Sequence, residues 1–225
     1  AEKTKDSITV NIHDENACPR YAARIIKNVK VGPSPDWLKA RLLSIGQKSI
    51  NNIVDAANFV LMDTGHPMHT FDLAKIKSKS INIRYAQNGE KLTTLDNVER
   101  ELKDFHLLIC DGNTPVALGG IMGGANSQIS DSTTDILIES AYFKPTVIRK
   151  GAKRLDLSTE ASKRFERDAD IEAVIPTLEQ LSELIQEVAG GDILTGFIDQ
   201  YPTKKEVAKV NFSIENCNSF LGSNF

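Results

Sequence analysis

The sequence predicts an α+β fold: a mixed, largely antiparallel β-sheet with packed helices, arranged as two interlaced subdomains. Two observations predict it. Apolar residues recur at three- and four-residue spacing in residues 50–61 and 171–189, the period of a helix with one buried face. Between Ile81 and Ile138 the period falls to two, and the short apolar runs are broken by turn residues such as Asp96-Asn97 and Asp111-Gly112-Asn113. With 40% hydrophobic and 25% charged residues, the 225-residue chain has an ordinary soluble composition. At that length it buries roughly 70–75% of its unfolded surface without staples.

Residues 1–16 are polar and charged and read as an entry segment. Residues 20–31 are rich in β-branched side chains and read as a strand. Ser34-Pro35 opens a helix as cap and first-turn proline, with Trp37, Leu38, Leu42 and Leu43 as its apolar face and Gly46 as its stop. The second helix carries Ile50, Ile53, Val54, Ala57, Val60 and Leu61 and ends at Gly65. Strands follow around Ile81, Ile83 and Tyr85, at 107–110, at 116–118 and at 136–140. The long helix at 171–189 contains Pro176, which sets its start nearby, and Gly190-Gly191 ends it. Residues 193–198 read as a strand, Tyr201-Pro202 as a linker, and 207–225 as a new strand-then-helix pattern that stops short. The chain reads as a piece of something longer.

Three widely spaced cysteines, Cys18, Cys110 and Cys217, suggest neither a disulfide framework nor a zinc site and fit a reducing cytosol. No apolar run approaches the roughly 20 residues of a membrane helix.

Four segments could carry chemistry. In residues 49–72, Asn58 lies on a helix face and His69 just beyond the turn, a pair able to hold a water or a carbonyl. The alternative is a histidine that only bonds the backbone. His66 and His69 form an H-x-x-H pair with no clear third ligand beyond Asp63 or Asp72, so no metal site is assigned. The run Leu118-Gly119-Gly120-Ile121-Met122-Gly123-Gly124-Ala125 lets backbone approach a ligand or makes a tight bend, and it lacks the spacing of a dinucleotide loop. Glu139 stands in the apolar run Ile136-Leu137-Ile138, facing either water or a pocket that grips a donor such as a hydroxyl. Residues 149–167 hold seven basic side chains, Arg149, Lys150, Lys153, Arg154, Lys163, Arg164 and Arg167, against three acidic ones, inside a chain of net charge −3. Such clustering suits a phosphate backbone or a solvated helix face.

Taken in order, these segments resemble the central editing region of the bacterial-type phenylalanyl-tRNA synthetase beta subunit, from Cys18-Pro19-Arg20-Tyr21 to about Ile198. The closest stretches are 52–72, 118–124, 137–143 and 149–168, the last with Leu157-Ser158-Thr159-Glu160-Ala161-Ser162-Lys163-Arg164-Phe165-Glu166-Arg167. The resemblance divides the chain into an entry segment (1–17), an editing domain (18–200), and a linker with the truncated start of a further module (201–225). It implies hydrolysis of tyrosine wrongly esterified to tRNA(Phe), with His69 and Asn58 around the hydrolytic water and the ester. It further implies that Glu139 receives the tyrosine hydroxyl, that Gly123 and Gly124 line the pocket, and that Thr159 and Ala161 leave room for the ring. Lys48, Arg149, Lys153, Arg154, Lys163 and Arg164 would contact tRNA. Three positions depart from the family's usual residues: His66 for Gln, Ala57 for Thr, and Lys48 for Arg. The resemblance also implies no cofactor for this region, ATP and magnesium for the whole synthetase, an alpha subunit in an α2β2 heterotetramer, and a cytoplasmic location. The alternatives are a tRNA-docking module without hydrolysis and a metal-dependent hydrolase built on His66 and His69.

Overall fold

The computed structural model describes residues 2–204, 206 and 209–224. The chain begins with α1 (Thr4–Ser7), β1 (Thr9–Ile12), β2 (Arg20–Lys27), α2 (Asp36–Ser44), α3 (Asn52–Thr64) and β3 (Met68–Asp72). A run of strands follows: β4 (Ser80–Tyr85), β5 (Lys91–Thr93), β6 (Glu99–Glu101), β7 (Leu107–Asp111), β8 (Thr114–Leu118), β9 (Met122–Gly123) and β10 (Ile136–Tyr142). It closes with α4 (Pro145–Arg154), α5 (Glu160–Phe165), α6 (Val174–Ala189), β11 (Asp192–Ile193), β12 (Ile198–Gln200) and α7 (Ile214–Leu221).

Two five-stranded sheets take up these strands except β5 and β6, which form a two-stranded antiparallel sheet of their own. The first runs β1-β4-β7-β8-β9, with β1 parallel to β4 and the other pairs antiparallel. The second runs β11-β2-β10-β3, with β12 also pairing β2, all antiparallel. The chain enters the first sheet, crosses to the second, returns, and crosses again. This mixed α+β, antiparallel-dominated architecture is the one the two periods predicted.

β10 is buried along its whole length because both of its faces are covered. Leu137 and Ala141 join Tyr21, Ala23, Ile25 and Phe71 in the core between the two sheets, with Ile81, Ile83 and Ile109 opposite. Ile136 and Ile138, with Ala22 and Ile26, face the other way, onto Ile53, Val60, Leu178 and Leu181 of α3 and α6. Successive strand residues therefore point into different cores.

Several local expectations change. Within the polar segment 1–16, Ile8 and Val10 are buried and β1 pairs with β4, an alternation that the charged neighbours obscure. Ser34 does not cap α2; its hydroxyl donates instead to Asp55 Oδ2 at 2.6 Å, and Pro35 takes the cap position. Only Leu38 and Leu42 bury the apolar face of α2, while Trp37 is 42% and Leu43 72% exposed. The strand read at 20–31 ends at Lys27, and that at 193–198 divides into β11 and β12. Pro176 is the third residue of α6, where no intrahelical N–H bond is lost. Of the pattern at 207–225, residues 207 and 208 lie outside the described residues, 209–213 form no strand, and α7 supplies the helix.

Asp55 is fully buried and accepts from Ser34 Oγ at 2.6 Å, Ser49 Oγ at 2.5 Å and the Ile50 N–H at 2.8 Å. It fastens the loop before α3 to that helix. Asp55→Ala strands three donors and is expected to cost about 3 kcal/mol in urea unfolding. A loss within about 0.5 kcal/mol would show that the loop is held by other means.

Candidate functional site

The antiparallel pairing of β3 with β10 sets His69 directly opposite Glu139. Alternation sends both toward the first sheet, on the same face as Phe71, Leu137 and Ala141. His69 thus belongs to a strand and not to the loop that the sequence suggested. The glycine run arrives from the other side. A Cβ on Gly123 would lie 2.5 Å from His69 Cε1 and 2.7 Å from Nε2, so the imidazole fits only because position 123 has no side chain. Gly120, at φ +67°, turns the backbone against Phe143 and Phe165.

Between them lies a cavity of about 240 Å³ walled by Asn58, His69, Gly123, Glu139, Thr159 and Ala161, with Leu95 and Phe165 completing the apolar surface. A cavity of roughly 150 Å³ holds a benzene ring, so this one accommodates a phenol and its link. Thr159 caps α5, accepting from the Ser162 N–H at 3.0 Å, and donates to the Ile121 carbonyl at 2.8 Å. One hydroxyl therefore ties the helix to the glycine run.

Glu139 is 7% exposed, with Tyr21 donating its phenol proton to Oε2 at 2.7 Å. Burial pushes the carboxyl up to about 7, partly offset by that hydrogen bond. Burial, then the adjacent carboxylate, pushes the Tyr21 phenol well above its ordinary range. Among the described residues no cation pairs with Glu139, and its Oε1 has no protein hydrogen bond. Burial pushes His69 down to about 4, so its ring is neutral near pH 7. Among the described residues its buried Nε2 has no hydrogen-bond partner, and its ring meets that of Phe71 nearly at right angles with centroids 4.6 Å apart. Asn58 is half-buried, and among the described residues its amide makes no protein hydrogen bond. A carboxyl oxygen, a neutral imidazole and an amide with spare bonding capacity thus surround one apolar cavity.

Gly124 lies outside that wall, packed against the Val116 carbonyl. Lys48 is exposed in the loop between α2 and α3. Arg149, Lys153 and Arg154 line a surface depression on α4 with Thr146 and Lys150, and Lys153 and Arg154 carry no ion pair among the described residues. Lys163 and Arg164 both pair with Glu160, at 3.0 and 2.8 Å. His66 packs behind the sheet, its Nε2 3.2 Å from Ser140 Oγ, whereas His69 sits opposite Glu139 on the other face. Among the described residues no three His, Cys, Asp or Glu side chains converge to hold a metal. The sequence reading missed Tyr21 and Leu95 as parts of the site. Leu95 precedes a turn, where an apolar side chain has no evident burial, and that was its only signal.

The B3/4 domain family matches residues 17–190, which carry both sheets and the cavity, and the chain belongs to it. The chain is 49% identical over 221 residues to the phenylalanine–tRNA ligase beta subunit of Syntrophotalea carbinolica, covering 98% of this chain and 28% of that protein. It is 48% identical over 214 residues to the same subunit of Thermotoga maritima, covering 95% of this chain and 27% of that one. The chain therefore spans little more than a quarter of these relatives. The solved N-terminal fragment of the phenylalanyl-tRNA synthetase beta subunit from Pyrococcus horikoshii matches with a TM-score of 0.56, covering 97% of this chain and 60% of that one. At 14% identity that likeness shows the fold alone. Among the described residues no helix is long and apolar enough to cross a membrane.

Proposed function

We propose that this chain is the proofreading part of a phenylalanine–tRNA ligase beta subunit and hydrolyses the ester of tyrosyl-tRNA(Phe). The observation that carries the reading is Glu139, a buried carboxyl with no cation beside it among the described residues, one oxygen held by Tyr21 and the side chain lining the cavity with His69 and Asn58. In this proposal the subunit works in the cytoplasm with an alpha subunit in an α2β2 assembly. The charging reaction, with its ATP and magnesium, belongs to the rest of that enzyme.

A site shaped for phenylalanine rejects tyrosine poorly, since the two differ by one added hydroxyl. A second site that requires the hydroxyl separates them well. Tyrosine satisfies Glu139, whereas phenylalanine leaves a desolvated carboxylate unpaired at a cost of about 1–3 kcal/mol. For hydrolysis, a water oxygen attacks the ester carbonyl, the ribose oxygen leaves and takes up a proton, and free tyrosine is released. The neutral His69 ring and the Asn58 amide orient the water and the carbonyl, and no covalent intermediate is needed.

The test is the ratio of kcat/KM for tyrosyl- over phenylalanyl-tRNA across pH 5.5–8.5. As pH rises through the Glu139 value of about 7, the carboxyl loses its proton, accepts the phenol more strongly and tolerates an apolar ring less. The ratio is therefore expected to climb with pH, while His69, at about 4, stays neutral throughout. Taking the ratio cancels ordinary base hydrolysis of the ester. A flat ratio contradicts the role of Glu139. The exposed basic face of α4 favours a second reading, docking of tRNA without cleavage, which predicts binding but no hydrolysis at any pH.

A further inference from the structure

On β10, the strand register sets Glu139 between His69 of β3 on one side and Ala23 of β2 on the other. Two residues further along β10, Ala141 stands opposite Tyr21 on the same face of the sheet. Ala23 and Ala141 are buried, and their small side chains leave room for the Tyr21 ring to lie diagonally against Glu139. The phenol, itself fully buried, donates to Oε2 at 2.7 Å. Among the described residues Oε1 makes no hydrogen bond to the protein, so one oxygen is committed and the other is unused. The other titratable groups around Glu139 are Cys18 before β2, His69 of β3 and Glu160 of α5, which lines the same cavity. Burial raises the Cys18 thiol well above its ordinary value and keeps His69 neutral near pH 7, while Arg164 and Lys163 hold Glu160 below its ordinary value. Of this group only Glu139, at about 7, changes charge near neutrality.

We propose that Tyr21 is a positioning residue for selectivity: its phenol holds Glu139 by Oε2 and leaves Oε1 as the oxygen that accepts the hydroxyl of the substrate. This inference rests on the editing reading and adds to it a residue that does not line the cavity. An unheld carboxyl turns freely about its last torsion and accepts through either oxygen. Held at one oxygen, it presents a fixed acceptor before the substrate arrives, and less order has to be imposed on binding. The same bond acts on charge. A donor to a carboxylate favours its ionised form, and the Tyr21 phenol is the group that opposes the effect of burial on Glu139. Without it the carboxyl keeps its proton to higher pH, and a neutral carboxyl tolerates an apolar ring. Burial raises the Tyr21 phenol well above its ordinary value, so it remains a donor while Glu139 titrates.

Tyr21→Phe removes one oxygen and keeps the ring among its neighbours. At pH 7 it is expected to lower the tyrosyl-over-phenylalanyl ratio of kcat/KM about tenfold or more, the effect of one lost charge-assisted hydrogen bond. The climb of that ratio with pH should also move upward by about one pH unit or more, because Glu139 then gives up its proton later. A purely structural role would slow both esters alike and leave the profile in place, and that result would overturn the assignment. In a Glu139→Ala background there is no carboxyl to hold, so Tyr21→Phe should change the ratio by no more than about twofold. An undiminished loss in that background would equally overturn it. A measurement on the unaltered chain needs neither a variant nor hydrolysis. The carbon-13 signal of Tyr21 Cζ should titrate with the Glu139 carboxyl, at the same midpoint near 7, and a flat signal would show that the bond is absent. If the chain cleaves neither ester, the editing reading fails, and the affinities for tyrosinamide and phenylalaninamide decide the role of Tyr21. Their ratio should fall about tenfold in Tyr21→Phe, and an unchanged ratio would overturn the inference.

Discussion

Replacing Glu139 by alanine is expected to lower the preference for the tyrosyl over the phenylalanyl ester by about a hundredfold, leaving hydrolysis of the phenylalanyl ester intact or faster. Two effects add. The tyrosyl substrate loses a charge-assisted hydrogen bond in a largely apolar site, and the phenylalanyl substrate no longer opposes an unpaired carboxylate. Together these amount to about 3 kcal/mol, a little over a hundredfold. Glu139→Gln keeps the shape without the charge and should fall between. It also separates function from stability. The folded-state value of about 7 exceeds that of a free glutamate, so the native chain holds the extra proton between about 4.5 and 7 and loses stability as pH rises through that window. The amide does not, so Glu139→Gln should gain on the order of 3 kcal/mol over the parent between pH 4 and pH 8 in urea unfolding. Equal selectivity in parent and variants would reject the phenol-reading role.

Gly123→Ala should have the next largest effect. The backbone there needs no positive φ, so the added methyl acts only through space, and it falls 2.5 Å from His69 Cε1 and 2.7 Å from Nε2. Nothing fits at that distance, and the imidazole must leave its place opposite Glu139. A displacement of about 1 Å in a positioning group can cost roughly a hundredfold in rate, and that is the loss expected in single-turnover deacylation. The mechanism has a particular signature. In a His69→Ala background there is no ring to displace, so Gly123→Ala should then cost little. Additive losses from the two changes would mean that the glycine acts by some other route.

How much of this was legible in the sequence differs by element. α3 and α6 were readable because each is a long amphipathic helix with its stop in view, Gly65 at φ +76° and Gly190 at φ +70°. β1 was not, because four residues of alternation are outweighed by the charges around them. Glu139 illustrates the limit. Its place in an apolar run left its side of the sheet open, since a strand covered on both faces shows no contrast between them. Only the register that sets it against His69, with Tyr21 118 positions earlier along the chain, defines its surroundings. The resemblance grouped Glu139 with His69 and Asn58, but it did not supply the Tyr21 phenol. The basic stretch was plain as composition. Its division was less so: among the described residues Lys153 and Arg154 of α4 carry no ion pair, while Glu160 claims Lys163 and Arg164 at three- and four-residue spacing.

The most direct measurement is a carbon-13 NMR titration of the Glu139 carboxyl in this chain, alone and with saturating tyrosinamide or phenylalaninamide. The account predicts a midpoint near 7 in the free protein, moved down by the phenol, which stabilises the ionised form, and not by the plain ring. A midpoint in the ordinary glutamate range that responds alike to both ligands would contradict it.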